Sequence, residues 1–334
     1  MYPIVRKRSL AAWSALALSL VLAVGLVNEP AGSVDEEAIA PVLQTERQWP
    51  KIELGRKLFN DVQLSRSNTL ACASCHRLDR SGADGLARAL GADGKPLEFN
   101  SPTIFNVALN FRLNWRGNFR TLEEQNEAVL LDGRLMNTTW HELLAKLADD
   151  QDYVRAFAAV YGGNPERSRV LDALATFQRS LVTPDARFDR YLKGERGAIT
   201  AEEERGYQLF KSYGCVSCHQ GRNLGGNLFQ KFGIFGDPQR RSVSEGDLGR
   251  FSITRIESDR NVFRVPSLRN VAVTSPYFHD GSASSLNEAV HIMARVQLGR
   301  ELPEQDIGLI VKFLGTLTGE HQGRSLSAED PSPR

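Results

Sequence analysis

C-A-S-C-H at 72–76 and C-V-S-C-H at 215–219 hold all four cysteines of this chain. C-x-x-C-H is the attachment pattern for haem c. Two thiols add across the vinyl groups along one porphyrin edge, and the adjacent histidine reaches the iron as an axial ligand. Two copies that use every cysteine predict two covalently bound haem c groups. One is expected on Cys72, Cys75 and His76, the other on Cys215, Cys218 and His219. Paired cysteines have two other uses. A thioredoxin-type redox disulfide needs a strand–helix context, whereas Gly-, Ser- and Asp-rich loop follows the first motif. One structural zinc needs four thiolates together, whereas Cys75 and Cys215 lie far apart in the chain.

The rest of the chain sets the context. Its 334 residues suffice for two domains. Forty-one basic residues balance forty acidic ones, a formal net charge of +1, so there is no bulk attraction to nucleic acid. Arg6-Lys7-Arg8 precedes an apolar run over 10–27, the order of an export signal. The run is also long enough to span a bilayer. A small-x-small pattern stands at Ala23-Val24-Gly25. A cleaved signal peptide and a retained N-terminal membrane anchor both fit residues 1–35, and either places the remainder in the periplasm.

An internal repeat supports two haem modules. Gly55-Arg56-Lys57-Leu58-Phe59 precedes the first motif and Gly206-Tyr207-Gln208-Leu209-Phe210 the second, both G-x-x-L-F. The first interval is longer, so the first copy carries an extra loop at about 61–68. The fold class expected is mainly α: two cytochrome-c-like domains with long loops, over 45–195 and 196–320. The linker is placed at 193–197 and a flexible tail at 321–334. Thr200-Ala201-Glu202-Glu203 reads as a capping box. Helical spacing marks 170–181, 307–317, 122–131, 140–147 and 286–294. Residues 77–120, and 221–250 with seven glycines, read as loops that wrap the cofactors.

The second axial ligand of each iron is usually His or Met. Beyond the two motifs the histidines are His141, His279, His291 and His321, and the methionines after the initiator are Met136 and Met293. Met293 reads equally as a ligand or a core residue. His279 reads as a ligand, a propionate partner or a surface residue. His291 cannot share an iron with Met293 from one helix. His141 reads as a surface residue, and His321 falls in the tail.

The chain resembles the bacterial dihaem cytochrome c peroxidases and the related MauG-type enzymes over 49–318. The resemblance is carried by L-G-R-K-L-F-N-D-V-Q-L-S (54–65), C-A-S-C-H, N-S-P-T-I-F-N (100–106) and T-L-E-E-Q (121–125). It continues in C-V-S-C-H, V-P-S-L-R-N-V (265–271) and T-S-P-Y-F-H-D-G-S (274–282). It implies a peroxide site at the first haem, with His76 proximal. It implies an electron-entry haem held by His219 and Met293, with Trp115 relaying electrons between the two. Gln125 falls in the peroxide pocket, and Arg264 near the haem propionates. Asn100, Thr274 and Pro276 fall on the positions of a calcium ion. The implied partners are hydrogen peroxide and a small redox donor such as cytochrome c or a cupredoxin. A homodimer is left open.

Three departures stand out. The family's acid–base Glu is Leu135 here, followed by Met136. No histidine lies between His76 and His141, so the distal His of the peroxidases is absent. W-D-G-R reads Trp115-Arg116-Gly117-Asn118. The missing His implies a first haem open to peroxide. The missing Glu removes general acid–base help worth about 10²–10⁴-fold, unless Asp132 or Glu127 substitutes. Three functions are therefore weighed: peroxide reduction; MauG-like oxidation of a protein substrate, against which Met293 stands where MauG-type enzymes have Tyr; and a non-enzymatic dihaem carrier or sensor.

Overall fold

The computed structural model describes residues 37–43, 48–237 and 244–326. The expected signal or anchor segment lies outside them. Among the described residues no helix is long and apolar enough to cross a membrane. The chain is mainly helical, as expected. In order it forms α1 (Trp49–Phe59), α2 (Cys72–Cys75), α3 (Leu122–Leu131), α4 (Trp140–Asp149), α5 (Gln151–Tyr161) and α6 (Arg167–Ser180). There follow α7 (Arg187–Leu192), α8 (Ala201–Ser212), α9 (Phe251–Thr254), α10 (Leu286–Leu298) and α11 (Glu304–Gly315). Two small antiparallel pairs complete it: β1 (Phe229–Lys231) with β2 (Val262–Arg264), and β3 (Glu320–His321) with β4 (Arg324–Ser325).

The helix starts follow local chemistry. Thr121, Thr139 and Thr200 each accept the backbone N–H of a glutamate three residues on, and that glutamate reaches back to the cap. Each such cap is worth about 1 kcal/mol. Ser285 caps α10 through the Glu288 amide at 3.2 Å.

The helices enclose two hydrophobic cores. The first gathers Leu58, Phe59, Leu143, Tyr153, Phe157, Val170 and Phe177; the second gathers Phe188, Tyr207, Phe210, Ile310, Phe313 and Leu317. Phe188 meets Tyr207 and Phe313 at ring-centroid distances of 4.7 and 5.0 Å. Such pairs add about 0.5–1.5 kcal/mol beyond area burial. The G-x-x-L-F repeat has a packing reason. A Cβ on Gly55 would stand 2.1 Å from the Ala173 carbonyl oxygen, and one on Gly206 2.0 Å from that of Leu309. Glycine thus lets α1 lie against α6, and α8 against α11, at backbone distance.

Two packing features bear on the segments around the modules. The first core ends at Leu181 and the second already includes Phe188 and Tyr191 of α7. α7 thus packs with the second core through the apolar face that meets α8 and α11. The tail after 320 is not loose throughout. Residues 320–325 pair as β3–β4, His321 packs on the Phe105 ring at 5.0 Å, and Leu326 is buried in the first core. At the other end Ile39 is buried in the second core. Arg269 fastens that segment. Fully buried beside Asp189 at 2.7 Å, it also donates to the Ala40 carbonyl at 2.9 Å.

Two cavities bridged by Trp115

Each C-x-x-C-H motif opens onto its own cavity. The first is lined by Cys72, Cys75, His76, Phe59, Gln125 and Met136, among others. The second is lined by Cys215, Cys218, His219, Phe210, Arg264 and Met293, among others. All four thiols are free and the two pairs stand in different cavities. One zinc shared by both pairs therefore does not fit. Burial pushes the Cys72 thiol up to about 12, and those of Cys75 and Cys215 to about 11. Buried protonated thiols of this kind are poor exchange nucleophiles.

Both histidines have one ring nitrogen tied to a backbone carbonyl. His76 Nδ1 lies 3.3 Å from the Gly82 carbonyl and His219 Nδ1 lies 3.2 Å from that of Leu224. A carbonyl only accepts, so Nδ1 carries the proton and Nε2 keeps its lone pair for a metal. Burial lowers the His76 pKa and takes that of His219 down to about 4, which keeps both rings neutral.

The opposite walls differ. Met293 of α10 lines the second cavity, whereas His291 turns outward, 4.0 Å from Glu301. In the first cavity His76 is the one histidine among the described residues, and the apolar Val129 lines the wall. Gln125 Oε1 is buried there with no hydrogen-bond partner. Leu135 lines the same cavity, as do two carboxylates, Glu98 and Asp132. Glu98 is paired with Arg116 at 2.9 Å. Glu127 is not on this wall; it accepts from Trp140 Nε1 and pairs with Arg167.

Trp115 and Asn100 line both cavities. Trp115 is buried, and its Nε1 donates to the Asn100 carbonyl at 2.9 Å. Asn100 gives its Nδ2 to the Leu86 carbonyl at 2.8 Å, which leaves Oδ1 to accept. Thr274 and Pro276 line the second cavity with it, so the three expected calcium positions border one cavity. Arg264, on β2, is buried. It donates to the Asn110 amide oxygen at 3.0 Å and to the Asn114 carbonyl at 3.3 Å. No carboxylate pairs with it among the described residues, and burial takes its pKa down to about 10. An unpaired buried guanidinium is costly, which suits a cavity that receives an anionic group.

His279 is neither exposed nor on a cavity wall. It is buried, its Nε2 sits 2.7 Å from Asp247 Oδ1, and its ring meets that of Trp115 edge-on at 6.4 Å. A second internal repeat explains the pairing. Pro102, Asn106-Val107-Ala108 and the loop 113–119 recur as Pro266, Asn270-Val271-Ala272 and the loop 277–283. Asn106 and Asn270 are both left-handed, at φ 60° and 62°, and both bond Thr183 Oγ1, at 2.8 and 3.1 Å. Leu113 bridges Phe119 as Tyr277 bridges Ala283. His279 is thus the counterpart of Trp115. Continued into α3 and α10, the register matches Gln125 with Ala289 and Val129 with Met293. The common P-x-x-x-N-V-A carried this signal in the sequence, where it went unread.

A family model for the di-haem cytochrome c peroxidases matches residues 49–197. Cytochrome c551 peroxidase of Nitrosomonas europaea is 38% identical over 95% of each chain. The chain belongs to the di-haem cytochrome c peroxidase family. Its members are oxidoreductases, and two haems are the family's cofactors. Cytochrome c peroxidase Ccp of Escherichia coli K12 is also 38% identical, over 87% of this chain, which spans only 63% of that relative's length. A solved MauG-like protein associated with microbial copper homeostasis superposes with a TM-score of 0.73. It is 28% identical and covers 87% of this chain and 96% of its own.

Proposed function

We propose that this chain reduces hydrogen peroxide to water in the first cavity, with electrons entering through the second. The observation that carries this reading is Trp115, whose buried ring lines both cavities. A haem c in the first cavity would be held by Cys72, Cys75 and His76. One in the second would be held by Cys215, Cys218 and His219, with Met293 as the sixth ligand and Arg264 near a propionate. Haem iron supplies the redox chemistry of O–O cleavage and one-electron transfer.

The chain's residues do the rest. The two Nδ1–H bonds fix the imidazoles. Val129, apolar where the second cavity has Met293, would offer no ligand to an iron bound in the first cavity. The unpartnered Gln125 oxygen accepts from a peroxide O–H. Asn100 holds the indole of Trp115 still while a charge passes, and a calcium ion held by Asn100, Thr274 and Pro276 would stiffen the same wall. The donor is a small redox protein such as cytochrome c or a cupredoxin, and the site of action is the periplasm. The peroxidatic module covers the first core and the electron-entry module the second.

Steady-state assay with peroxide and reduced cytochrome c or cupredoxin tests this. Saturable donor oxidation is expected; no turnover with any donor at full haem loading overturns it. The likeness to a MauG-like protein and the histidine-free far wall favour a second reading, oxidation of a protein substrate. It predicts an oxidised spectrum that persists after peroxide is added without donor. Met293, a ligand suited to reversible electron entry, favours the first.

A further inference from the structure

We propose that Asp132, fixed by Arg134, is the acid–base group of the first cavity and stands in for the carboxylate that position 135 lacks. The inference rests on the peroxidase reading. Asp132 ends α3 and lies on the same turn as Leu135. Its carbonyl accepts the amides of Leu135 at 3.0 Å and Asn137 at 2.9 Å, which closes the turn. Its Oδ1 accepts the Arg134 amide at 2.8 Å, and Arg134 Nη2 donates to Oδ2 at 3.2 Å. The carboxylate is therefore held in one place on the cavity wall. Its side chain is 30% exposed, enough for proton exchange with solvent.

The alternatives on this wall are committed. Glu98 is tied to Arg116, and Glu127 lies outside the cavity under Arg167 and Trp140. Gln125, its oxygen unpartnered, lines the same cavity as Asp132. Burial pushes the Asp132 carboxyl up, but its bonds to Arg134 prevail and hold it below the usual range. It meets peroxide ionised, as a base.

The proton balance is simple. Asp132 takes a proton from one oxygen of HO–OH and returns it to the other as the O–O bond breaks. That oxygen leaves with the bonding pair, as water. The oxygen left behind becomes the second water on gaining two electrons from the donor and two protons from solvent. Arg134 is a positioning residue that fixes the carboxylate.

Cyanide association with the fully loaded ferric protein tests this without turnover, because hydrogen cyanide must surrender its proton as it binds. Asp132→Asn is expected to slow association at least ~100-fold, the lower end of the range of general base catalysis. Adding Leu135→Glu to that variant is expected to restore most of the rate, and Glu127→Gln to leave it unchanged. Wild-type association in Asp132→Asn overturns the assignment. If Asp132→Asn fails to load haem, Arg134→Gln serves. It leaves Asp132 in place without the cation that holds its carboxyl down, with Glu98 and Glu245 also facing the Arg134 position, and the pH below which association falls should rise. No movement of that pH overturns the assignment. Peroxide turnover by the wild type, undiminished in Asp132→Asn, sinks this inference alone. A wild type that turns over no peroxide, with association slowed in Asp132→Asn, sinks the peroxidase reading alone.

Discussion

Trp115 donates its indole N–H to the backbone carbonyl of Asn100 at 2.9 Å, and these two residues line both cavities. Asn100 in turn donates its backbone N–H to the His279 carbonyl at 2.8 Å, so the bridge is anchored to the counterpart loop. A relay residue must be buried and held in one orientation, and Trp115 is both. Trp115→Phe keeps an aromatic ring but loses the anchor and the more readily oxidised indole. Electron passage from the second haem to the first, followed by stopped-flow absorbance after peroxide is added to half-reduced protein, is expected to slow by at least ~10-fold. An unchanged rate would remove Trp115 from the route.

The register that sets Val129 against Met293 predicts unequal haems. Cyanide is expected to titrate one haem per wild-type chain. Met293→Ala opens the second site, so two equivalents should bind, with the visible spectrum of the second haem turning high-spin. Two equivalents in the wild type would mean that Met293 is not a ligand.

Gly206 sits where a Cβ would overlap the Leu309 carbonyl. Gly206→Ala must push α8 from α11, and overpacking of this kind costs about 1–3 kcal/mol. Urea unfolding of the loaded protein, followed by far-ultraviolet dichroism, should show that loss. A variant as stable as wild type would mean that the two backbones separate without cost.

Glu203 is buried at the start of α8. Burial pushes its carboxyl up, but the Arg187 fork, at 2.8 and 2.5 Å, and the Thr200 amide outweigh this and hold it below the usual glutamate range. A carboxyl whose folded pKa is depressed stabilises above the unfolded value, about 4.3, and that stability is lost as pH falls through the folded value. Arg187→Gln should thus unfold at lower urea than wild type at neutral pH, and the gap should close on acidification below that range. A gap independent of pH would contradict the assignment.

Much of this was legible in the residues because it is local. The capping boxes at Thr121, Thr139 and Thr200 and the apolar spacing of α6 and α11 need only a few neighbours to form. The thiols and histidines of the two motifs are fixed by spacing alone. What escaped was long-range. α7 reads as part of the first domain because its short sequence does not show that Phe188 and Tyr191 reach the second core, and His321 reads like tail because its partner Phe105 is far away in sequence. His279 looked free to ligate, yet it is spent on Asp247 across a loop. The role of Asp132 needed the turn at 132–137 to be seen closed, with Leu135 and Asp132 on one wall.

The most direct test of the account counts donor equivalents. A limiting amount of peroxide is mixed with the fully loaded protein and excess reduced cytochrome c, and donor oxidation is read at its visible absorbance band. Two donor equivalents oxidised per peroxide, lost when His76 is replaced by Gly, is the result predicted. Peroxide consumed with no donor oxidised would contradict it.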